Sequence, residues 1–110
     1  MMRRFAIGLS LLLGARAACA APPPDANPAW TPWFNDLRHP WTNALCCSVA
    51  DCRPAQSRIQ GDHFEAFIAG DWRAVPDNTV IERRDNPTGS AVACWTPSAG
   101  VTCFVPPPES

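Results

Sequence analysis

Five of the six cysteines follow residue 20, and sulfur offers several kinds of chemistry there. A redox-active dithiol usually has the form C-x-x-C, at a helix N-terminus that lowers the pKa of one thiol. That spacing does not occur in this sequence. Thiolates also bind Cu(I) or Zn²⁺, but the spacing matches no zinc-ribbon pattern. Disulfide formation is the expected role, and the candidates are Cys46, Cys47, Cys52, Cys94 and Cys103.

The histidines and acidic residues form no recognisable catalytic motif. A cysteine nucleophile needs an imidazole beside its thiolate, and the two histidines, His39 and His63, stand before a proline and at the start of a predicted strand. The sequence contains no G-x-S-x-G, H-E-x-x-H or phosphate-loop motif. The acidic residues fall in predicted turns and at strand ends. We expect no enzyme activity, no catalytic residue, no cofactor and no metal ligand.

Tryptophan is the other residue type that could mark a binding site. In a core this small, Trp side chains most often serve packing, and the three nearest the N-terminus are expected to cover a sheet edge or face. Alternatively, the indole rings form a stacking platform for a protein or a small polar ligand. The five are Trp30, Trp33, Trp41, Trp72 and Trp95.

Residues 1–20 have the pattern of a cleavable Sec-type signal peptide. Arg3 and Arg4 precede an apolar run of ten residues, FAIGLSLLLG, and small residues follow it. A bilayer span needs about 20 apolar residues, so the run is too short to cross a membrane. Cleavage after Ala20 would start the mature chain at Ala21, whereas cleavage after Ala17 would retain Cys19. Lipidation of Cys19 is the third alternative.

Charge and composition narrow the partners of the mature chain. Without residues 1–20 it has six arginines, no lysine and ten acidic residues, which gives a formal charge of −4. A nucleic-acid partner requires a basic surface, and an anionic membrane attracts polybasic segments. We therefore expect no nucleic-acid binding and no membrane span. The predicted location is the periplasm or the extracellular medium.

An oxidising compartment favours disulfides in a small domain with a limited core. A bond from the 46–52 cluster to Cys94 or Cys103 would close a loop of about 45–55 residues, a constraint that contributes roughly 4 kcal/mol. Five cysteines leave one over, which would be buried, reactive or bonded to a second chain unless Cys19 is retained. The sequence does not fix the pairing. A local Cys94–Cys103 bond is one alternative, but at least one bond from the cluster to the C-terminal hairpin is favoured.

The N-terminal part of the mature chain predicts an extended linker followed by short helical turns. Residues 21–32 are Pro-rich. Thr31-Pro32 resembles a helix start, and Trp33, Phe34 and Leu37 would form one apolar face. The residue before Pro40 disfavours further helix. Residues 48–51 resemble a capping box for a single turn, which Pro54 would end.

From residue 62 the pattern predicts antiparallel β-structure. Phe64, Ala66 and Ile68 alternate with more polar residues, and Gly70-Asp71 indicates a tight turn. A second turn is predicted at residues 85–89. The strand candidates are residues 63–69, 72–75, 79–84, 91–96 and 101–105.

The last two strands make a specific prediction of register. A four-residue loop, 97–100, places Thr96 opposite Val101 and Cys94 opposite Cys103. Both cysteines would then share one face with three valines, while Trp95 and Phe104 occupy the other. Two apolar faces indicate a central hairpin that is covered on both sides. The three valines are Val92, Val101 and Val105.

Several motifs resemble a family of small, uncharacterised, signal-peptide-bearing proteins exported by Gram-negative bacteria. The most specific is the cluster CCS-x2-DC at residues 46–52, followed by Pro54. Trp72 with Val75-Pro76, Asn86-Pro87-x-Gly89 before Cys94, and the ending CFVPP from Cys103 complete the resemblance. It covers residues 41–108 and implies export and a cysteine scaffold, with no catalytic residue.

These observations predict a mainly β, small α+β fold. A short N-terminal helix or turn would pack on an antiparallel sheet of about 4–5 strands, crosslinked by disulfides. The chain would divide into a signal peptide (1–20), a linker (21–32), one domain (33–105) and a loose tail (106–110). The expected function is that of a non-catalytic binding or structural module. The alternative is a thiolate site for Cu(I) or Zn²⁺, or a thiol-redox protein.

Overall fold

The computed structural model describes residues 27–108. The predicted signal peptide and residues 21–26 of the predicted linker lie outside this range. Two short helices follow a 3₁₀ turn at Pro28–Trp30: α1 (Thr31–Asn35) and α2 (Cys46–Val49). The six strands are β1 (Asp51–Ala55), β2 (Ser57–Gln60), β3 (His63–Ile68), β4 (Asp71–Ala74), β5 (Ala91–Thr96) and β6 (Gly100–Val105).

The strands form two antiparallel sheets of three strands each, with the orders β1-β5-β6 and β2-β3-β4. The Phe67 N–H donates to the carbonyl of Gln56, the residue between β1 and β2. Phe64 of one sheet contacts Phe104 of the other, with ring centroids 5.1 Å apart. The sheets thus pack through a shared apolar cluster of buried residues, Ala66, Val75, Ala91, Ala93, Val101 and Phe104.

A second apolar cluster covers the opposite face of the β1-β5-β6 sheet. Leu37 is fully buried there, and Trp33 and Phe34 of α1 pack against the same cluster. The β5–β6 hairpin is therefore covered on both faces, as its two apolar faces predict. The buried members of this cluster are Leu37, Cys46, Ala50, Val92, Cys94, Cys103 and Val105.

The prediction of a single sheet of four to five strands was wrong. The structure has two sheets, and residues 51–60 form two strands that the sequence pattern did not indicate. The capping box was also wrong: α2 has no side-chain cap, and the Ser48 hydroxyl donates to the Leu45 carbonyl. Pro54 does not end a turn but lies within β1. Since β1 is an edge strand, it tolerates a residue that has no N–H to donate.

Residues 79–84 do not form the predicted strand. Asp77–Thr79 forms a 3₁₀ turn, in which the Thr79 hydroxyl donates to the Pro76 carbonyl. Val80 then makes an isolated parallel bridge to Phe104, and the Ile81 N–H donates to the Phe104 carbonyl. This segment covers the outer edge of β6 without extending the sheet.

The β5–β6 register agrees with the prediction at one pair and departs from it beyond. Cys94 and Cys103 are opposite each other, but Trp95 pairs with Val101 because of an irregularity after Cys94. A β-bulge places an extra residue on one strand, and here the extra residue is Thr102, whose hydroxyl donates to the Cys94 carbonyl. Val101 consequently lies in the cluster between the sheets and not beside the cysteines, which corrects the predicted face.

The β3–β4 turn lies one residue earlier than predicted, at Ala69-Gly70. Ile68 pairs with Asp71, and both turn residues have positive φ, 52° and 85°. Such a two-residue turn matches the right-handed twist of the strands that it joins. Helix α1 likewise starts at Thr31, with Trp30 and not Thr31 as its N-cap.

Candidate functional site

The cysteines meet in one row across the β1-β5-β6 sheet. Cys52 is opposite Cys94 on the neighbouring strand, and Cys94 is opposite Cys103 on the next. Cys46, at the start of α2, approaches this row from the covering layer. Two disulfides join cysteines within residues 27–108, Cys46–Cys103 and Cys52–Cys94. Both connect the 46–52 cluster to the C-terminal hairpin, which confirms the favoured pattern of at least one such bond.

Cys47 is also disulfide-bonded, so residues 27–108 contain no free cysteine. Its side chain is buried, with Sγ 3.5 Å from the Phe34 carbonyl oxygen. Within the described chain, the Cys46–Cys103 bond links α2 to the sheet, and the Cys52–Cys94 bond links two neighbouring strands of that sheet.

Three sulfur atoms lie close enough to suggest a metal site. The Sγ atoms of Cys46, Cys94 and Cys103 are all within 4.8 Å of one another and buried. A metal binds the thiolate form of cysteine, and in this structure each of the three belongs to a disulfide. Neither histidine belongs to a group of potential metal ligands within residues 27–108. The oxidised protein therefore offers no thiolate ligand set at this position.

The histidines lie apart from the sulfur atoms. The Nδ1 atom of His39 accepts from the backbone N–H groups of Trp41 and Thr42, at 3.0 and 3.2 Å. This arrangement fixes a turn and requires Nδ1 to be unprotonated. His63 lies 3.5 Å from Asp62 and 3.8 Å from Glu65. The partners of the two rings are thus backbone N–H groups and carboxylates of neighbouring residues.

The five tryptophans do not form one platform. Trp41 is 77% exposed and covers no sheet face, contrary to the expectation for the first three. Trp33 packs against the cluster beneath α1. Trp72 lies on the outer face of the β3–β4 hairpin. Its ring centroid is 5.3 Å from that of Phe67 and 4.1 Å from the guanidinium carbon of Arg58. Trp95 lies on the opposite side of that hairpin, in a cleft.

This cleft, between β1 and the end of the β3–β4 hairpin, has a volume of about 340 Å³. Its lining comprises Asp51, Arg53, Pro54, Ala55, Phe67, Ile68, Ala69, Ala93 and Trp95. Small side chains at Ala55 and Ala93 leave room that larger residues would fill. Phe67 is 40% exposed, although it belongs to a strand within a sheet. Its ring packs against Trp72 on the outer face of the hairpin, so Trp95 supplies the indole ring of the cleft.

Asp51 and Arg53 give the cleft a pair of opposite charges. They are two residues apart on β1 and therefore share a face, about 7 Å apart along the strand. Their cross-strand partners on β5 are Trp95 and Ala93, also in the cleft. Both residues are exposed, and neither side chain makes an ion pair or hydrogen bond within residues 27–108. Their charges remain available to a ligand.

The indole of Trp95 is held in place by a well-anchored arginine. The Arg73 guanidinium carbon lies 4.8 Å from the indole centroid. Arg73 Nε donates to the Ile68 carbonyl at 2.9 Å, and a second nitrogen lies 3.5 Å from the Asp71 carboxylate. These contacts fix Arg73, so the cation–π interaction orients the indole. The aromatic part of the cleft is thus preorganised.

A separate polar cluster attaches α1 to the loop at residues 83–85. Arg83 makes two hydrogen bonds to the Asp85 carboxylate, at 2.9 and 2.6 Å, and a third to Asp36 at 3.1 Å. The Trp33 indole N–H also donates to Asp85, at 3.0 Å. The Arg83 hydrogen bonds, with that of Trp33, lower the pKa of Asp85 to about 2, and the Asp85 contact raises the pKa of Arg83. The cluster positions α1 and is remote in sequence from the cleft residues.

Sequence reasoning identified Trp95 but missed the charged pair of the cleft. The sequence pattern predicted a turn at Asp51 and Arg53, because two short polar strands containing a proline lack the alternation that marks a half-buried strand.

No family model matches the chain, and neither a curated protein nor a solved structure matches it. No helix within residues 27–108 is long and apolar enough to cross a membrane.

Proposed function

We propose that this chain is an exported, non-catalytic binding module that takes a small zwitterionic ligand in the cleft beside Trp95. The observation that carries the proposal is the combination of Asp51 and Arg53, opposite charges without partners in the described chain, with an oriented indole. The volume, about 340 Å³, is near the lower limit of typical ligand pockets. A small molecule suits that space better than a protein segment does.

The charges of Asp51 and Arg53 favour a ligand that has both a positive and a negative group. Arg53 would bind a carboxylate, for which its guanidinium geometry is suited, and Asp51 would bind an ammonium group. The apolar side chain of the ligand would contact Trp95. Free apolar amino acids have all three features and are the probes of choice.

Export is supported by the signal-peptide pattern of residues 1–20 and by the disulfides, which persist in oxidising compartments. The CCS-x2-DC resemblance supports membership in the family of small exported Gram-negative proteins. We propose a periplasmic or secreted location. Intact mass of the purified exported chain distinguishes a start at Ala21 from one at Ala18 and from lipidation of Cys19. Recovery of a cytosolic product with residues 1–20 intact would contradict the proposal.

Binding is tested by two-dimensional ¹H–¹⁵N NMR of the exported chain with L-phenylalanine, L-leucine and glucose at millimolar concentration. We expect the two amino acids to shift the Trp95 indole and Ala93 amide resonances, and glucose, which is uncharged, to leave them unchanged. Arg53→Ala should abolish the shifts. Arg84→Ala removes the same charge from an exposed residue outside the cleft and should preserve them. Equal loss in both variants, or no shift with either amino acid, would refute the assignment.

A thiolate metal site is the second candidate, and the convergence of three sulfur atoms within 4.8 Å favours it. It requires a reduced protein. Thiol titration of the exported chain, with metal analysis of the same sample, separates the two candidates. Three or more free thiols with stoichiometric copper or zinc would favour the metal site over the binding module.

A further inference from the structure

The two disulfides are close enough to react with each other. Cys52, Cys94 and Cys103 are successive cross-strand partners on β1, β5 and β6. The Cys94 sulfur belongs to one disulfide and lies within 4.8 Å of both sulfurs of the other, those of Cys46 and Cys103. Thiol–disulfide exchange requires a thiolate to reach a disulfide sulfur. Cys94, once released from Cys52, would already be beside its target.

The solvent exposure of each cysteine determines which disulfide sulfur an external thiol can attack first. Cys46, Cys94 and Cys103 are at most 1% exposed, whereas Cys52, on the edge strand β1, is partly exposed. Attack by a thiolate depends on access to the sulfur. Of these four cysteines, Cys52 is therefore the one that a reductant reaches first.

We propose that the two disulfides form an exchange relay, in which a dithiol attacks at Cys52 and the thiol finally released is that of Cys46. The dithiol thiolate bonds to Cys52 Sγ, and the electron pair of the broken Cys52–Cys94 bond leaves on Cys94. The second thiol of the reductant closes its own disulfide and releases Cys52. The Cys94 thiolate then bonds to Cys103 Sγ, breaking the Cys46–Cys103 bond, and the Cys46 thiolate takes a proton from solvent. The dithiol loses two electrons, and Cys52 and Cys46 gain them as thiols.

Cross-strand pairing selects Cys103 over Cys46 as the atom attacked. Cys94 and Cys103 are directly opposite in the β5–β6 ladder, and opposed residues of an antiparallel pair have Cα separations of about 4.5–5.5 Å. That range lies within the separations that disulfides span. A Cys94–Cys103 bond therefore forms with the ladder intact, whereas a Cys46–Cys94 bond would link β5 to a different element.

The relay would change what the crosslinks hold together. In the structure, both bonds tie the α2–β1 segment to the hairpin. After exchange, the remaining bond lies within the hairpin, and neither Cys46 nor Cys52 is attached to it. A limited supply of dithiol would thus detach Cys46 and Cys52 from the hairpin while the hairpin itself stays crosslinked.

The test is partial reduction of the exported chain with one equivalent of dithiothreitol. The reaction is quenched with acid, free thiols are alkylated with N-ethylmaleimide, and peptides are mapped by tandem mass spectrometry that resolves Cys46 from the adjacent Cys47. We expect alkylation at Cys52 and Cys46, with a Cys94–Cys103 bond. Alkylation at Cys52 and Cys94, with Cys46–Cys103 intact, would overturn the relay. Alkylation at Cys52 and Cys103 would overturn the assigned direction.

A pair of single variants tests the relay without a reductant. Cys52→Ser leaves Cys94 without its partner beside the second disulfide, and most molecules should contain a Cys94–Cys103 bond and a Cys46 thiol. Cys94→Ser is the matched control, because it removes the relay sulfur, and it should retain Cys46–Cys103. If Cys52→Ser folds cooperatively and keeps Cys46–Cys103, the proposal is wrong. If that variant does not fold, the partial reduction of the native chain decides.

Discussion

Removal of the Cys46–Cys103 disulfide is the most informative test of how this fold is stabilised. We consider the double variant Cys46→Ala/Cys103→Ala, which deletes the crosslink and leaves no unpaired sulfur from that bond. The two cysteines are separated by 57 positions, and closing a loop of that length lowers the entropy of the unfolded chain. Because the Cys52–Cys94 bond already shortens that loop to residues 46–52 and 94–103, about 17 residues, the chain-entropy relation gives about 3 kcal/mol at 25 °C.

The second disulfide provides an internal comparison. Cys52 and Cys94 are separated by 42 positions, but with the Cys46–Cys103 bond in place their crosslink again closes the short loop of residues 46–52 and 94–103, so the same relation gives about 3 kcal/mol. Cys52→Ala/Cys94→Ala should therefore lose nearly the same stability. A domain of about 80 residues has roughly 4–12 kcal/mol in total, so either variant should be close to unfolding at 37 °C.

The assay is urea unfolding at 10 °C, followed by tryptophan fluorescence, for the wild type and both double variants. Val92→Ala is the matched control, since Val92 is fully buried in the same cluster as Cys46 and Cys103. It should cost about 2 kcal/mol through lost packing with an unchanged slope. Both crosslink variants should show a steeper slope, because an unfolded chain with fewer crosslinks exposes more surface. A loss below about 1 kcal/mol with an unchanged slope would refute the chain-entropy account.

Three further predictions concern single side chains. Asn86→Ala should lower the free energy of unfolding in urea by about 2 kcal/mol, because this buried amide donates to the Ser90 and Pro106 carbonyls and accepts from Thr88. A loss within about 0.5 kcal/mol, the ordinary range for surface changes, would contradict this prediction. Ala69→Gly should stabilise the protein by about 1 kcal/mol, because Ala69 has φ 52°, and Gly70→Ala, at φ 85°, should destabilise it by a similar amount. If thermal melts showed stability changes of the same sign for both variants, the result would be inconsistent with strain in the turn. Because the folded pKa of Asp85 is lowered to about 2 from 3.8, its contribution to stability is complete above pH 4 and falls as the pH drops towards 2. Asp85→Asn should flatten that part of the stability-against-pH curve, and an unchanged curve would exclude Asp85 as a cause of the acid-induced loss of stability.

Local sequence patterns predicted the elements whose stabilising contacts lie near one another in the chain. Strand β3 shows the expected alternation, with Ala66 buried and Phe64 and Ile68 packed beside it. Cys94 lies opposite Cys103 as predicted, although a loop one residue shorter than expected and the extra residue Thr102 together produce that register. The Asn86 turn contains the expected residues, and its side chain bonds the backbone of the same loop. Each of these depends on interactions within about ten residues.

Strands β1 and β2 could not be predicted in the same way. Their residues are mostly exposed, so hydrophobic alternation is weak. What makes 51–55 a strand is pairing with β5, about 40 residues later in the chain. The same long-range pairing places Asp51 and Arg53 beside Trp95 in the cleft. The candidate site was thus hidden, because its charged residues acquire a common face only when β1 joins the sheet.

The amino-acid sequence alone determined the β3–β4 and β5–β6 hairpins, the helix-forming segment at Trp33 and Phe34, and the abundance of cysteine, since these depend on local backbone preference and composition. The tertiary structure decided which cysteines pair, because disulfide partners are set by which strands are neighbours. It also decided which side of the hairpin Val101 faces, because one extra residue at Thr102 reverses the alternation beyond it. Sheet order is a property of contacts between distant segments, and no single segment of this chain specifies it.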